Sequence, residues 1–114
     1  MTTTIYHNPR CSNSRGALEL IREAGIEPAV IDYLAHPPTR EELRELIRRA
    51  GLTVRDAVRT QEPVYALLNL DSASDEDLLQ AMVAHPALIN RPFVVTQHGV
   101  RLCRPPGLVR EILP

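Results

Sequence analysis

Between Thr3 and Leu34 the hydrophobic pattern changes period twice, and this constrains the fold more than any other feature of the chain. Residues 2–6, ending in Ile5-Tyr6, form a short β-type run. Gly16-Ala17-Leu18-Glu19-Leu20-Ile21-Arg22-Glu23-Ala24 is helix-type. It has Ala17, Leu20, Ile21 and Ala24 on one stripe and Leu18 beside it. Gly25 is a stop signal for that helix. Ala29-Val30-Ile31-Asp32-Tyr33-Leu34 reads as a second strand, apolar enough to be expected buried on both faces. Strand, helix and strand within about 30 residues make a βαβ unit, with parallel strands and a right-handed crossover.

A cysteine sits at the handover from the first strand to the helix, in His7-Asn8-Pro9-Arg10-Cys11-Ser12-Asn13-Ser14-Arg15. The free N–H groups and positive dipole end of a helix favour a negative charge. A thiolate is such a charge, and cysteines at helix N-termini ionise more readily than a free thiol. Arg10 and Arg15 add cationic charge, and His7 could add more. A free cysteine is often only a small buried hydrophobe. Arg, Ser and Asn are poor company for a core residue, so Cys11 reads as the reactive centre. Ser14, one turn on, either hydrogen-bonds the sulfur or simply starts the helix. His7 either tunes the sulfur or moves a proton, or it is a strand-end histidine bonded to backbone.

The middle of the chain is helical in pattern. His36-Pro37-Pro38 breaks the first unit, and Thr39-Arg40-Glu41-Glu42 has capping-box form. Leu43, Leu46, Ile47 and Ala50 form an inner stripe that ends at Gly51. Residues 52–60 read as a short helical piece, and 63–68 as another with Pro63 near its start. Ser74-Asp75-Glu76-Asp77 opens a helix with the stripe Leu78, Leu79, Met82 and Val83. The period then returns to strands at 92–96 and 100–103, joined through Gln97-His98-Gly99 as an antiparallel hairpin. Leu108 to Leu113 is a short closing helix. The expected fold is α/β. It is a thioredoxin-like mixed four-stranded sheet flanked by helices, with an inserted helical region at about 39–85, in a single domain over 1–114.

Composition narrows the function. The formal net charge is −1, so neither nucleic acid nor an acidic membrane is expected as a partner. No apolar run approaches the ~20 residues of a membrane span, and no signal peptide is visible. Two cysteines, Cys11 and Cys103, point to a cytoplasmic, reduced setting rather than a disulfide scaffold. The four histidines and two cysteines show no metal-ligand spacing. A monomer is expected.

Three arginines stand among core-type residues: Arg59, Arg91 and Arg104. An arginine in such company must snorkel, pair, or face a polar cavity. Arg91 precedes the first hairpin strand and Arg104 follows the second, so antiparallel pairing brings them to one edge. Guanidinium forks suit carboxylates and tetrahedral oxyanions. Each arginine alone would read as a surface ion pair; three beside an activated thiolate read as a site that seats an oxyanion. A Cys-x5-Arg phosphatase loop is excluded by Ala17, and a Cys-x-x-Cys dithiol by Ser14. One loop thiol therefore needs an external thiol to finish turnover. Strand alternation puts Cys103 on the face opposite Arg104, and Cys103 reads as structural.

Five segments together resemble the glutaredoxin-dependent arsenate reductase family. They are His7-Asn8-Pro9-x-Cys11-Ser12-x-Ser14-Arg15, Ile31-x-Tyr33-Leu34, Pro37-Pro38-Thr39-Arg40-x-Glu42-Leu43, His85-Pro86-x-Leu88-Ile89-Asn90-Arg91-Pro92 and Arg101-Leu102-Cys103-Arg104-Pro105. The likeness runs over essentially the full chain. It implies Cys11 as the nucleophile that attacks arsenate. It also implies Arg59, Arg91 and Arg104 as arsenate-binding residues, His7 and Ser14 as residues that tune the sulfur, and a cis Arg91-Pro92 bond. No bound cofactor is implied; glutathione is the co-substrate and glutaredoxin the partner that resolves a mixed disulfide. Two other readings stand beside it: a thioredoxin-fold redox regulator that binds RNA polymerase, and a glutathione-linked thiol transferase with no oxyanion substrate. Ser14 in place of a second cysteine weighs against the first, and the three arginines against the second.

Overall fold

The structure, a computed structural model, describes residues 2–114. They divide into two compact units. One is the segment ending at His36 together with Arg91–Pro114, and the other is Pro37–Asn90.

The first unit holds the sheet. Its strands are β1 (Thr4–His7), β2 (Ala29–Asp32), β3 (Phe93–Thr96) and β4 (Gly99–Leu102), in the order β2-β1-β3-β4. β1 runs parallel to β2, with Ile5 opposite Val30, and antiparallel to β3, with Ile5 opposite Val94. β3 and β4 form the expected hairpin. Thr96 pairs with Gly99, leaving Gln97-His98 as a two-residue turn. The mixed four-stranded sheet is the one expected.

Helix α1 (Ser12–Glu23) links β1 to β2. It ends at Gly25, whose φ of +82° suits glycine and lets its N–H reach Arg22 O at 2.9 Å. Ala17 and Ile21 are wholly buried, in one cluster with Ile5, Val94, Cys103, Val109 and Ile112. Each large aliphatic side chain in it contributes about 1.5–3 kcal/mol by leaving water. Ala24, expected on the same stripe, is exposed. The closing segment Pro106–Glu111 is a 3₁₀ helix rather than an α-helix. It lies so close to α1 that a Cβ on Gly16 would stand 2.9 Å from Pro106 Cγ.

One expectation fails. β2 is not buried on both faces: Ala29, Val30 and Asp32 are exposed. Only β1 pairs with it, so it is an edge strand. An apolar run marks a strand, but its place in the sheet is set by which other segments pair with it. The strand stops at Asp32, whose Oδ1 accepts from Leu34 N at 3.1 Å in an Asx-type turn.

The second unit is helical. α2 (Arg40–Arg49) has the capping box foreseen. Glu42 N donates to Thr39 Oγ1 at 3.1 Å, and Thr39 N to Glu42 Oε1 at 3.0 Å. Leu43, Leu46 and Ile47 are buried. The helical piece expected over 52–60 shrinks to a 3₁₀ turn, Arg55–Ala57. α3 (Pro63–Leu67) starts on its proline, and α4 (Asp75–Ala84) is capped by Ser74. The Arg55 guanidinium donates to the carbonyls of Leu70, Asp71 and Ala73, tying down the link between α3 and α4. Among the described residues, no helix is long and apolar enough to cross a membrane.

Candidate active site

The cysteine loop is fixed by one buried side chain that sequence reasoning missed. Asn8 O accepts from Cys11 N at 3.0 Å, and Asn8 Oδ1 from Arg10 N at 3.0 Å. Asn8 N donates to Ser14 Oγ at 3.0 Å, and its Nδ2 to the Tyr33 hydroxyl at 3.3 Å. Every polar group of Asn8 is thus used, and Tyr33 anchors the loop from the end of β2. An Asn directly after a strand and three residues before a candidate nucleophile was the available signal. Arg15 Nη1 adds a bond to Pro9 O at 2.9 Å.

Cys11 is the N-cap of α1, with extended backbone (φ −92°, ψ 122°), and is half-buried. Burial pushes its thiol up, but the amide ends of Ser14 and Asn13 at the start of α1 and the nearby Arg91 guanidinium favour the thiolate. Together they hold the thiol below its ordinary value. Arg104 Nη1 lies 3.7 Å from the sulfur. Arg10 and Arg15, expected to supply charge, are exposed, and Arg15 is engaged with Pro9 O.

His7 and Ser14 come together as a pair, His7 Nδ1 lying 2.6 Å from Ser14 Oγ. The Ser14 hydroxyl, wholly buried, therefore faces His7 and Asn8, and it is the backbone N–H of Ser14 that reaches the sulfur. Burial lowers the His7 imidazole; Asp32 opposes this, and Arg22 and Arg15 reinforce it. On balance these influences favour the neutral imidazole. A neutral Nδ1 can accept the Ser14 proton while Ser14 Oγ accepts from Asn8 N.

The hairpin does bring its two arginines together. Cys103 N donates to Pro92 O at 2.8 Å and Arg104 Nη1 to Arg91 O at 2.9 Å. The Arg91-Pro92 bond is cis, as the resemblance implied, and so is Arg104-Pro105. Asn13, also missed, joins them. With its amide oxygen turned toward Arg104, it accepts from Nη1 at 3.2 Å and Nη2 at 3.3 Å. Arg59 belongs to the helical unit. Its N–H donates to Leu88 O at 2.8 Å, and its Nε lies 3.5 Å from Glu62 Oε1. Cys103 is wholly buried in the apolar cluster. Burial pushes its thiol up to about 12, with Arg101 lowering it and Glu111 raising it. Such a sulfur is inert at neutral pH. Among the described residues no three His, Cys, Asp or Glu side chains are placed to hold a metal.

Known proteins resemble the chain that carries this one-thiol site. A family model described as the ArsC family matches residues 6–112. A relative from Rhizobium meliloti (strain 1021), named arsenate reductase, is 58% identical, the match covering 100% of this chain and 83% of that one. The chain belongs to the ArsC family. The Escherichia coli (strain K12) relative, also named arsenate reductase, is 52% identical over 97% of this ArsC chain and 80% of its own. The solved structure of the arsenate reductase from Vibrio cholerae superposes with a TM-score of 0.93 at 47% identity, covering 99% and 98% of the two chains. The fold is the thioredoxin-like α/β fold of those ArsC structures. All the site residues named above, from His7 to Arg104, lie within the matched span.

Proposed function

We propose that the protein is an arsenate reductase with Cys11 as its nucleophile. One observation carries this reading: Arg104 Nη1 lies 3.7 Å from the sulfur of Cys11 at the N-cap of α1, where Arg91 and the first amides of the helix also favour a thiolate. A thiolate is the attacking form of cysteine. The groups that stabilise it are also those that suit a tetrahedral oxyanion. The names of the relatives supply the oxyanion, arsenate.

The thiolate attacks arsenic, and one oxygen leaves as water, giving a thiol–arsenate ester on Cys11. A glutathione thiol then attacks. The two sulfurs join as a mixed disulfide, their two electrons pass to arsenic, and arsenate is released as arsenite. Glutaredoxin removes the glutathione by thiol–disulfide exchange and restores Cys11. Glutathione is thus a co-substrate and not a bound cofactor. The His7–Ser14 pair braces the loop, and the start of α1 favours the thiolate. Arg91 and Arg104 bind the oxyanion, and Arg59 is given the same role on the family likeness alone. A reduced compartment, the cytoplasm, fits a cycle that returns to a free thiol.

The test is a coupled assay in which arsenate, glutathione and glutaredoxin are omitted in turn. Turnover should need all three and should vanish in Cys11→Ser. Turnover that persists without arsenate would instead mean a thiol transferase. No turnover by the parent protein in the complete mixture would end the enzymatic reading.

A further inference from the structure

Among the described residues no carboxylate pairs with Arg104, whereas Arg22, Arg44, Arg48 and Arg101 are each matched by a glutamate. With the Asn13 amide turned so that its oxygen faces the guanidinium, two neutral oxygens fix Arg104 instead: the carbonyl of Arg91 at 2.9 Å and the side-chain amide oxygen of Asn13 at 3.2 and 3.3 Å. A neutral acceptor orients a guanidinium without cancelling its charge. Asn13 is well placed for this. It is the second residue of α1, so the backbone that aims its N–H at Cys11 also aims its side chain at Arg104.

We propose that Asn13 is a positioning residue of this site: its side-chain oxygen seats the Arg104 guanidinium beside the Cys11 sulfur and, being neutral, leaves that charge free for an incoming oxyanion. The inference deepens the oxyanion reading above and rests on it. It assigns Asn13 no contact with the reacting atoms through its side chain.

Asn13→Asp separates this role from a structural one. The aspartate has nearly the same shape, keeps the backbone N–H, and puts an acid in the first turn of α1, where the helix dipole favours it. A merely structural role therefore predicts no loss. Under the proposal the new carboxylate pairs with Arg104 and repels both thiolate and oxyanion. The other groups at the sulfur are unchanged: the Arg91 guanidinium and the amides of Ser14 and Asn13. So are His7, reached only through Ser14, and the Asp32, Arg22 and Arg15 around it.

Two measurements are made on Asn13→Asp and Asn13→Ala: the KM for arsenate, and the rate of Cys11 alkylation by iodoacetamide as a function of pH. Asn13→Asp should keep its Tm, raise KM roughly ten- to hundredfold, and move the alkylation profile to higher pH. Asn13→Ala, which loses the acceptor without adding charge, should show a smaller rise in KM. An unmoved profile and KM in folded Asn13→Asp would overturn the proposal. If that variant does not fold, an unchanged KM in Asn13→Ala would do so. Alkylation requires no arsenate. Failure of the arsenate reading would appear as an inactive parent protein, with the alkylation comparison still deciding the role of Asn13.

Discussion

Gly16 offers a test that links packing to the site. A Cβ there would stand 2.9 Å from Pro106 Cγ and 3.2 Å from Pro106 Cβ. Ordinary carbon contacts lie at about 3.5–4.0 Å, so α1 and the closing segment would have to part by about half an ångström or more. The neighbour is a proline ring, which cannot swing aside as a longer side chain would. Two effects compete in Gly16→Ala. Helix propensity favours alanine by roughly 0.8–1.0 kcal/mol, and overpacking costs typically about 1–3 kcal/mol. The balance is a loss of up to about 2 kcal/mol. At roughly 4 °C per kcal/mol for a chain of this size, Tm should fall by up to about 8 °C.

Activity should suffer more than stability. Pro106 follows Arg104 by two residues, and Arg104 Nη1 is already 3.7 Å from the Cys11 sulfur, long even for a bond to sulfur. A shift of half an ångström at Pro106 therefore moves the backbone that carries this guanidinium relative to the sulfur. Calorimetry on Gly16→Ala and its KM for arsenate at saturating reductant give the two numbers. A variant with higher Tm and unchanged KM would refute the reasoning, since propensity would then have won and the close approach would not set the position of Arg104.

The other predictions are briefer. Arg91→Ala should raise the KM for arsenate at least tenfold or so, and Arg40→Ala, at the exposed start of α2, should leave it unchanged; equal effects would remove the oxyanion role. Cys11→Ser should abolish reduction. Cys103→Ser should retain it at a cost of about 1–3 kcal/mol for a hydroxyl in an apolar cluster, and activity lost only in the latter would exchange the two roles. Cys103 also sets an alkaline limit. Its thiol is raised to about 12 in the fold against about 8.5 in a free chain. The folded state therefore holds that proton longer, and its contribution to stability is full below about 8.5 and is lost as pH climbs toward 12. All 13 basic residues are arginine, so no lysine titrates in that window, and Tm should fall less steeply above pH 9 in Cys103→Ala than in the parent. Identical slopes would refute it. Thr39→Ala should cost about 1 kcal/mol through loss of the capping box, read as a shift in the urea midpoint.

What the sequence made legible was what neighbouring residues decide among themselves. The capping box at Thr39 and Glu42, the stop at Gly25 and the N-terminal position of Cys11 each depend on a few adjacent positions, and each stands in the structure. What failed depended on distant pairing. β2 looks like a central strand because its side chains are apolar, yet it lies at the edge because only β1 claims it. The closing segment has the apolar residues of a helix, but begins on Pro105-Pro106-Gly107 and tightens to 3₁₀. Asn8, Asn13 and Tyr33 escaped notice because a polar or aromatic side chain next to a loop shows its partner only after the chain has folded.

The site itself divides along the same line. One half is local: the Ser14 and Asn13 amides aim at the sulfur because α1 begins at Cys11, and any chain with that strand–loop–helix would have them. The other half is remote, since Arg104 is 93 residues from Cys11 in sequence and arrives only through the register of β3 with β4. Local amides can favour a thiolate, but an amide pair offers an oxyanion no full positive charge. In the proposed site the guanidinium groups of Arg91 and Arg104 supply that charge. Because the Arg104 group is held by neutral oxygens, no carboxylate competes for its charge when a substrate arrives. A nucleophile made locally and an anion seat made by the hairpin meet at one sulfur, and that meeting is what makes oxyanion reduction, rather than plain thiol exchange, the chemistry that fits this chain.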